Sequence, residues 1–246
     1  MAQLTIYGKT TGDNWDAANG WNSQADGLGT DYTNPQNGAD TYICNLNGKT
    51  KTANLDIVVD QITASGATGQ LVSSGTRAIT AALVYTGTLT GGMLSCPTGT
   101  TTTITGACSN SSTGPCVVSA GTAVVTIVGN ATATGGAACI SHGATGALTL
   151  TGDVSCTNSS GRGVMQTAAA TSTINGNVSA SNGNGVRTSS GTITINGNIS
   201  RTVSGISLQL VGGTIIWTGA RSLADTVDAR VDISTGTFNI TSLVLS

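Results

Sequence analysis

Apolar and polar residues alternate in short segments that recur along the chain from about residue 100 onward. Each segment ends at a small residue, and these markers are Gly106, Gly129, Gly152, Gly176, Gly197, Gly219 and Ser242. Successive markers are 23, 23, 24, 21, 22 and 23 residues apart. A nearly fixed period of this length is typical of solenoid proteins, in which each repeat forms one coil and stacks on its neighbours.

The alternation predicts strands that present one face to a core and the other to solvent. The residue two positions before each marker is apolar: Ile104, Ile127, Leu150, Ile174, Ile195, Trp217 and Ile240. The next position outward is threonine in the middle coils: Thr103, Thr126, Thr149, Thr173 and Thr194. A second strand signal, a small residue followed by an apolar one, lies between the markers, as at Cys116–Val117. Two strand signals per period, separated by Gly, Asn and Ser turns, predict a coil of about 22 residues.

The predicted fold is therefore all-β: a right-handed parallel β-helix over residues 43–246, preceded by a capping and attachment segment at 1–42. The first 42 residues contain Trp15, Trp21 and three of the four tyrosines. This aromatic composition differs from that of the repeats. A cap is expected because the terminal strands of a β-helix have unpaired edges that invite aggregation.

In-register stacking places equivalent residues about 4.8 Å apart in consecutive coils. The Asn-Gly-Asn turns at 175–177 and 196–198 should then form a ladder of amides. Cys116 and Cys139 also occupy equivalent places, within disulfide reach. We expect stacked free thiols rather than a disulfide, since no secretory signal precedes the repeats and synthesis in a reducing cytoplasm is indicated.

Composition adds constraints on the core and on partners. The chain has 35 glycines, one phenylalanine and 8% charged residues, which suits a narrow aliphatic core. The net charge of −2 argues against binding of nucleic acid or of an anionic membrane surface. No apolar run approaches the ~18 residues of a membrane span, so no membrane insertion is expected. Arg77 is the only charged residue between Gln61 and Gly152. A neutral surface of this kind suits an assembly in which neighbours cover it.

The sequence offers few groups for chemistry, and we predict no catalytic residue, cofactor or metal site. Glycoside hydrolysis needs two carboxylates, yet the chain has no glutamate. The candidate acids in the repeats are interpreted as solvated turn residues, namely Asp153 near Arg162 and the group Asp225, Asp228 and Asp232. Arg162 and Arg187 could share one face and touch a glycan, although a role in solubility is favoured. His142 has no nearby acid for a nucleophile triad, and the six cysteines lack the clustered spacing of a zinc site.

Two sets of motifs carry a resemblance to a known family. The N-terminal set is DNWD at 13–16, GWN at 20–22 and GADTYI at 38–43, and the repeats contain GNGV at 183–186 followed by TITINGNI at 192–199. Together they resemble the β-helical virion proteins of phage tail fibres and head fibres, over nearly the whole chain. Residues 201–213 and 220–235 depart from the repeat pattern. The resemblance implies a structural virion component, made in the host cytoplasm, that is a fibre, spike or capsid-decoration protein.

The partners implied are other virion subunits, further copies of this chain and host surface polysaccharide. An oligomer or docking interface is expected at Phe238, Leu243 and Leu245, because the sequence ends in an apolar strand, and at Trp15 and Trp21. The alternative function is a bacterial cell-surface adhesin of the same architecture. An ice-binding solenoid, indicated by Thr-x-Thr arrays, and a glycan-degrading tailspike are less favoured.

Overall fold

A computed structural model describes residues 2–9, 12–89, 92–201, 206–218 and 231–240. Within these ranges the regular elements are all strands, and no helix occurs. In chain order they begin with β1 (Gln3–Gly8), β2 (Asp13–Asn14), β3 (Trp21–Asn22), β4 (Asp31–Tyr32), β5 (Thr41–Asn45), β6 (Thr50–Ala53), β7 (Ile57–Ala64), β8 (Gln70–Ser73), β9 (Thr76–Tyr85), β10 (Leu94–Cys96), β11 (Thr101–Thr105), β12 (Cys108–Asn110), β13 (Val117–Gly121) and β14 (Val124–Val128). They continue with β15 (Ala131–Ala133), β16 (Ala138–Ala144), β17 (Leu148–Thr151), β18 (Val154–Cys156), β19 (Arg162–Gln166), β20 (Thr171–Asn175), β21 (Val178–Ala180), β22 (Asn184–Thr188), β23 (Thr192–Ile195), β24 (Ile199–Arg201), β25 (Ile206–Leu210), β26 (Thr214–Trp217), β27 (Val231–Ile233) and β28 (Thr237–Ile240).

Three stacks of parallel strands form the sides of each coil. The first half of β9 pairs with β11 and its second half with β12, so the chain bends from one stack into the next. The first stack contains the start of β7, the first half of β9, and β11, β14, β17, β20, β23, β26 and β28. The second stack contains β1, β5, the ends of β7 and β9, and β12, β15, β18, β21 and β24. The third stack contains β2, β6, β8, β10, β13, β16, β19, β22, β25 and β27. The predicted parallel β-helix is confirmed.

The predicted apolar columns are confirmed residue by residue. Ile104, Ile127, Leu150, Ile174, Ile195 and Trp217 are partners in successive strands of the first stack. Each is buried, and Trp217 has the largest exposed fraction at 6%. Ile240 continues the register beside Trp217. Continuous burial of β-branched and aliphatic side chains along the axis supplies the hydrophobic stabilisation that one coil lacks alone.

The second stack was only partly predicted. The sequence indicates two strands per coil, whereas the structure has three, because short strands such as β15 and β18 follow the marker glycine. Their inward residues are buried: Cys108, Ala131, Val154, Val178 and Ile199. The sequence pattern does not separate these positions from the first strand, since a three-residue strand has too few residues to show alternation.

The marker glycines turn the chain between the first and second stacks. Gly106, Gly129 and Gly152 have φ angles of 151°, 154° and 150°. A Cβ on Gly152 would lie 2.4 Å from the carbonyl oxygen of Gly129, and one on Gly129 would lie 2.2 Å from that of Gly106. Only glycine permits both this backbone conformation and this approach between coils.

The N-terminal segment covers the free edge of the first strand. One edge of β1 pairs in parallel with β5, and its other edge pairs antiparallel with β3, which in turn pairs with β4. This hairpin covers Tyr7 and Gly8 at the end of an edge that would otherwise be open to association. Because β1 belongs to the second stack, the solenoid begins inside the segment 1–42 and not after it.

The predicted amide ladder is confirmed at the corner between the first and second stacks, beside the marker glycines. Asn196 Nδ2 donates to Asn175 Oδ1 at 2.6 Å, and the backbone N–H of Asn198 donates to Asn177 Oδ1 at 2.9 Å. The ladder extends to Asp153, whose Oδ1 accepts from the Asn177 N–H at 2.7 Å. The side chain of each coil thus satisfies a backbone donor of the next coil.

Candidate functional site

The three stacks present three chemically different outer surfaces. The outward column of the first stack is the threonine face, defined by Thr103, Thr126, Thr149, Thr173 and Thr194. The outward column of the second stack is the serine face: Ser109, Thr132, Ser155, Ser179 and Ser200. The outward column of the third stack is the arginine face: Val118, Ser141, Met165, Arg187, Gln209 and Asp232. The third is the most varied surface and the one with charge.

The threonine face is regular and uncharged. Its five threonines are direct partners in consecutive strands and are all half-buried. Strands β11 to β26 of this stack contain no charged residue. The column continues as Ile216 and Asn239 in the last two described coils. The arrangement gives a surface of hydroxyls and methyls with no charge to desolvate when another surface covers it.

Arg162 and Arg187 lie in adjacent coils on the arginine face. Arg162 is the partner of Asn184, three residues before Arg187. Both side chains are half-buried, and the Nε atom of each is shielded from solvent without a hydrogen-bond partner among the described residues. Burial, and then the positive charge of Arg187, lower the pKa of Arg162 below its usual value. Arg162 thus lies beside the arginine-face column, one coil before Arg187 and offset from it by three residues along the strand.

A pocket of about 290 Å³ adjoins Arg162. It is lined by Thr113, Pro115, Gly136, Ala137, Ala138, Ser141, Arg162 and Met165. Met165 and Gln209 were not predicted as neighbours of the arginines. Met165 follows the Gly-Val pair at 163–164 and Arg187 follows the pair at 185–186, and both face outward. Gln209 is the partner of Arg187 in the next coil.

Asp153 and Arg162, which are close in sequence, lie in different stacks. Asp153 lies in the corner ladder between the first and second stacks, whereas Arg162 lies in β19 of the third stack. The described ion pairs are Lys9–Asp31 and Lys51–Asp13, both in the N-terminal region. Asp232 accepts a hydrogen bond from Gln209 Nε2 at 3.5 Å, and Asp225 and Asp228 lie outside the described residues. The described acids of the repeats therefore form no pair of carboxylates.

His142 is enclosed in the core with a hydroxyl partner. Its Nε2 lies 2.8 Å from the carbonyl oxygen of Gly146, and its Nδ1 lies 2.6 Å from Ser119 Oγ. A carbonyl only accepts, so Nε2 carries the proton and Nδ1 accepts from the hydroxyl. Ser119 and His142 are 3% and 0% exposed. A serine–histidine pair without access for a substrate serves structure.

Burial lowers the pKa of His142, against an opposing effect of the Gly146 hydrogen bond. We therefore expect unfolding to become easier as pH falls below about 6.5, because the unfolded chain then binds a proton that the native imidazole resists. The slope should not exceed about 1.4 kcal/mol per pH unit. Urea unfolding from pH 8 to pH 5 measures it.

The matched control for this pH dependence is His142→Gln. Gln166 occupies the equivalent place in the next coil, and its Nε2 donates to the carbonyl of Ala170, four residues ahead, as His142 does to Gly146. Glutamine should keep the hydrogen bond and remove the titration. A variant that retains the same slope would assign the pH dependence to another group.

The six cysteines are all buried and unpaired. The backbone N–H of Cys116 donates to the carbonyl of Cys139 at 2.9 Å, which places these residues side by side in consecutive coils. Contacts with the thiols of Cys108 and Cys139, together with burial, raise the pKa of Cys116 well above its usual value. Such thiols are poor nucleophiles because the thiolate is the reactive form.

The predicted interface residues have different outcomes. Trp15 and Trp21 are both 0% exposed, so the structure corrects their assignment: they form the core of the cap and leave no surface for a partner. Phe238 is partly buried and packs against the core. Leu243 and Leu245 lie outside the described residues, so their interface stays a prediction.

Comparisons with known proteins leave the site to be interpreted from its own geometry. No protein-family model matches the chain, and searches of curated proteins and of solved structures find no match. Among the described residues, no helix has the length and apolar character to cross a membrane. Within the described ranges, no group of three or more His, Cys or acidic side chains is placed to hold a metal ion.

Proposed function

We propose that the protein is a structural component of a bacteriophage virion: the shaft of a fibre, spike or capsid decoration. The observation that carries this proposal is the in-register threonine face along a continuous solenoid core. A rod with one core and a flat uncharged side suits lateral packing against further copies or other virion subunits. The resemblance of its repeats to those of phage fibre proteins supports the particle as its location.

The threonine face favours assembly for a physical reason. Covering hydroxyls and methyls costs less desolvation than covering charges, and hydroxyls can exchange water for partners on a facing surface. Charged residues are also depleted at the cores of protein interfaces. The hairpin β3–β4 covers the edge of β1 at Tyr7 and Gly8, so the growth of a sheet from this end of the strand is opposed while the sides remain available.

The location in a particle is tested by mass spectrometry of purified virions, with the host cell-surface fraction as the comparison. Recovery with capsid and tail subunits supports the proposal. Recovery only with the cell surface would favour the adhesin alternative, whose architecture is the same.

We expect Thr149→Lys to weaken self-association about tenfold or more, because it places an ammonium at the centre of the threonine face, where it must be desolvated on contact. Light scattering over a concentration series measures this change. The control is Ser155→Lys, which adds the same charge to the serine face of the same coil. Equal effects of the two substitutions would contradict assembly through the threonine face.

One specific observation also favours an ice-binding solenoid as a second candidate. The five stacked threonines are about 4.8 Å apart along the axis, and β11, β17, β20 and β23 each contain a Thr-x-Thr pair. Val128, Asn175, Asn196 and Ile216 interrupt the array. Thermal hysteresis in wild-type protein that Thr149→Lys removes and Ser155→Lys leaves would support this candidate over the virion shaft.

A further inference from the structure

The arginine face has positive charge that the described residues leave without a partner. No described carboxylate forms an ion pair with Arg162 or Arg187, and no described group accepts a hydrogen bond from their Nε atoms. From Val154 to Ala224 the sequence contains four arginines and no acidic residue. Asp232 lies two coils beyond Arg187 in the same column, with Gln209 between them. That places it about 10 Å away along the axis.

This arrangement is unfavourable unless something else is bound. Each arginine is half-buried and the two repel one another, as the effect of Arg187 on Arg162 indicates. Shielded donors without partners cost free energy, and in native proteins they often mark an absent water, ion or ligand. If the two arginines served only solubility, we would expect them to be isolated from one another and fully solvated. An anion between the two guanidinium groups would satisfy both their charge and their donors.

The adjoining pocket indicates what carries the anion. Pro115, Ala138 and Met165 give it an apolar wall, and Ser141, the strand partner of Met165, adds a hydroxyl. At about 290 Å³ it lies near the lower limit for small-molecule pockets, so it admits one small ring and not an extended ligand. Beyond Arg187, Asn184 Nδ2 donates to Gln209 Oε1 at 2.8 Å, which supplies amides along the same face.

We propose that Arg162, Arg187 and the adjoining pocket bind a carboxylate-bearing sugar unit of an anionic polysaccharide. The carboxylate lies between the two guanidinium groups, and the ring packs against Met165 and Pro115. The polymer continues over the open arginine face, where Gln209 and Asn184 offer amides to sugar hydroxyls. The choice of a surface polysaccharide rests on the proposed function, which places this face on the outside of a particle; the anion site itself does not.

The test measures binding of a trimer of galacturonic acid to the full chain by calorimetry. A neutral galactose trimer shows the contribution of the carboxylates, and sodium sulfate shows that of a free oxyanion. We expect the acidic trimer to bind, the neutral trimer to bind at least tenfold more weakly and added salt to weaken the acidic trimer. Sulfate that binds as tightly as the acidic trimer would overturn a sugar ligand. No binding of the acidic trimer would overturn the site.

Variants assign the binding to the two arginines. Arg162→Gln and Arg187→Gln should each weaken the acidic trimer about tenfold or more, since each removes one charge-assisted contact. Arg162→Lys should weaken it less, because it keeps the charge and loses the bidentate geometry. The control is Arg77→Gln, which changes net charge equally at a residue whose Nε already donates to the Ala53 carbonyl. If Arg77→Gln and Arg162→Gln weakened binding of the acidic trimer equally, the overall charge would explain the effect and the proposed site would be contradicted.

This experiment separates the two proposals. Self-association of the Arg162 and Arg187 variants, measured by light scattering, reports on the threonine face, which these substitutions do not touch. Loss of sugar binding with unchanged assembly supports both proposals. A wild-type chain that assembles and is found in particles but binds no acidic trimer refutes the sugar site alone.

Discussion

Gly152→Ala is expected to lower the free energy of unfolding by about 2–6 kcal/mol, although it adds one methyl group. The new Cβ would lie 2.4 Å from the carbonyl oxygen of Gly129, a backbone atom held by the neighbouring coil. Alanine is also strained at a φ of 150°. The corner must then move away from the Gly129 coil, which stretches the hydrogen bond from the Gly129 N–H to the Thr151 carbonyl.

Urea unfolding followed by circular dichroism measures this loss, with Gly136→Ala as the control. Gly136 lies in another turn, where an added Cβ would meet only the Thr113 methyl at 3.8 Å. The control should change stability by less than about 1 kcal/mol. If both variants unfolded alike, the marker glycines would be there for turn formation in general and not for the close approach of coils.

The same corner explains why so much of the first stack could be predicted from sequence. An inward residue precedes each marker glycine by two positions, as Ile127 precedes Gly129 and Leu150 precedes Gly152. This fixed spacing determines both which side chains face the core and the register in which the strands pair. Stacking requires each coil to repeat the backbone path of the last, so glycine recurs wherever that path is closed to a Cβ. The repeat period in the sequence therefore predicts the position of this corner in each coil.

The arginine face could be predicted only in part, because its register depends on turn length. The intervals between coils vary from 21 to 25 residues in the first stack. Sequence spacing alone therefore does not fix whether Arg187 falls beside Met165 or beside Arg162. The structure shows that Met165 and Arg187 are direct partners and that Arg162 is the partner of Asn184. The pocket is also not predictable from the sequence, since two turns and two strands from three successive coils build it.

The cap was difficult for a different reason. It has no repeat, and its antiparallel hairpin is built from two-residue strands that show no alternation. Composition indicates a special segment, and the tryptophans suggest a contact surface. The structure places them inward because their indole N–H groups find partners there: Trp15 Nε1 donates to the Pro35 carbonyl at 3.1 Å and Trp21 Nε1 to the Trp15 carbonyl at 2.9 Å. Buried tryptophans usually need such partners.

Trp21→Ala is expected to destabilise the cap by about 3–5 kcal/mol, as for other large aromatic residues in cores. The ring centroids of Trp21 and Trp15 are 4.6 Å apart, and Lys51 Nζ lies 5.3 Å from the Trp21 ring. Lys51 is fully buried, and its Nζ donates to the Gly20 carbonyl at 2.8 Å. Removing the indole leaves a cavity beside this ammonium and takes away its contact with the ring, so the loss exceeds that of the apolar area alone.

Because each coil contacts mainly its neighbours, the damage should remain near the N-terminus. Hydrogen exchange should quicken in β1 and β5 and stay unchanged in β14 and β17, and exposure of the β1 edge should cause aggregation. The control is Leu28→Ala in the same segment, since Leu28 is 83% exposed and should change stability little. Exchange that quickened equally along all coils would show that the solenoid unfolds as one unit and that the cap protects the whole rod, not its first edge.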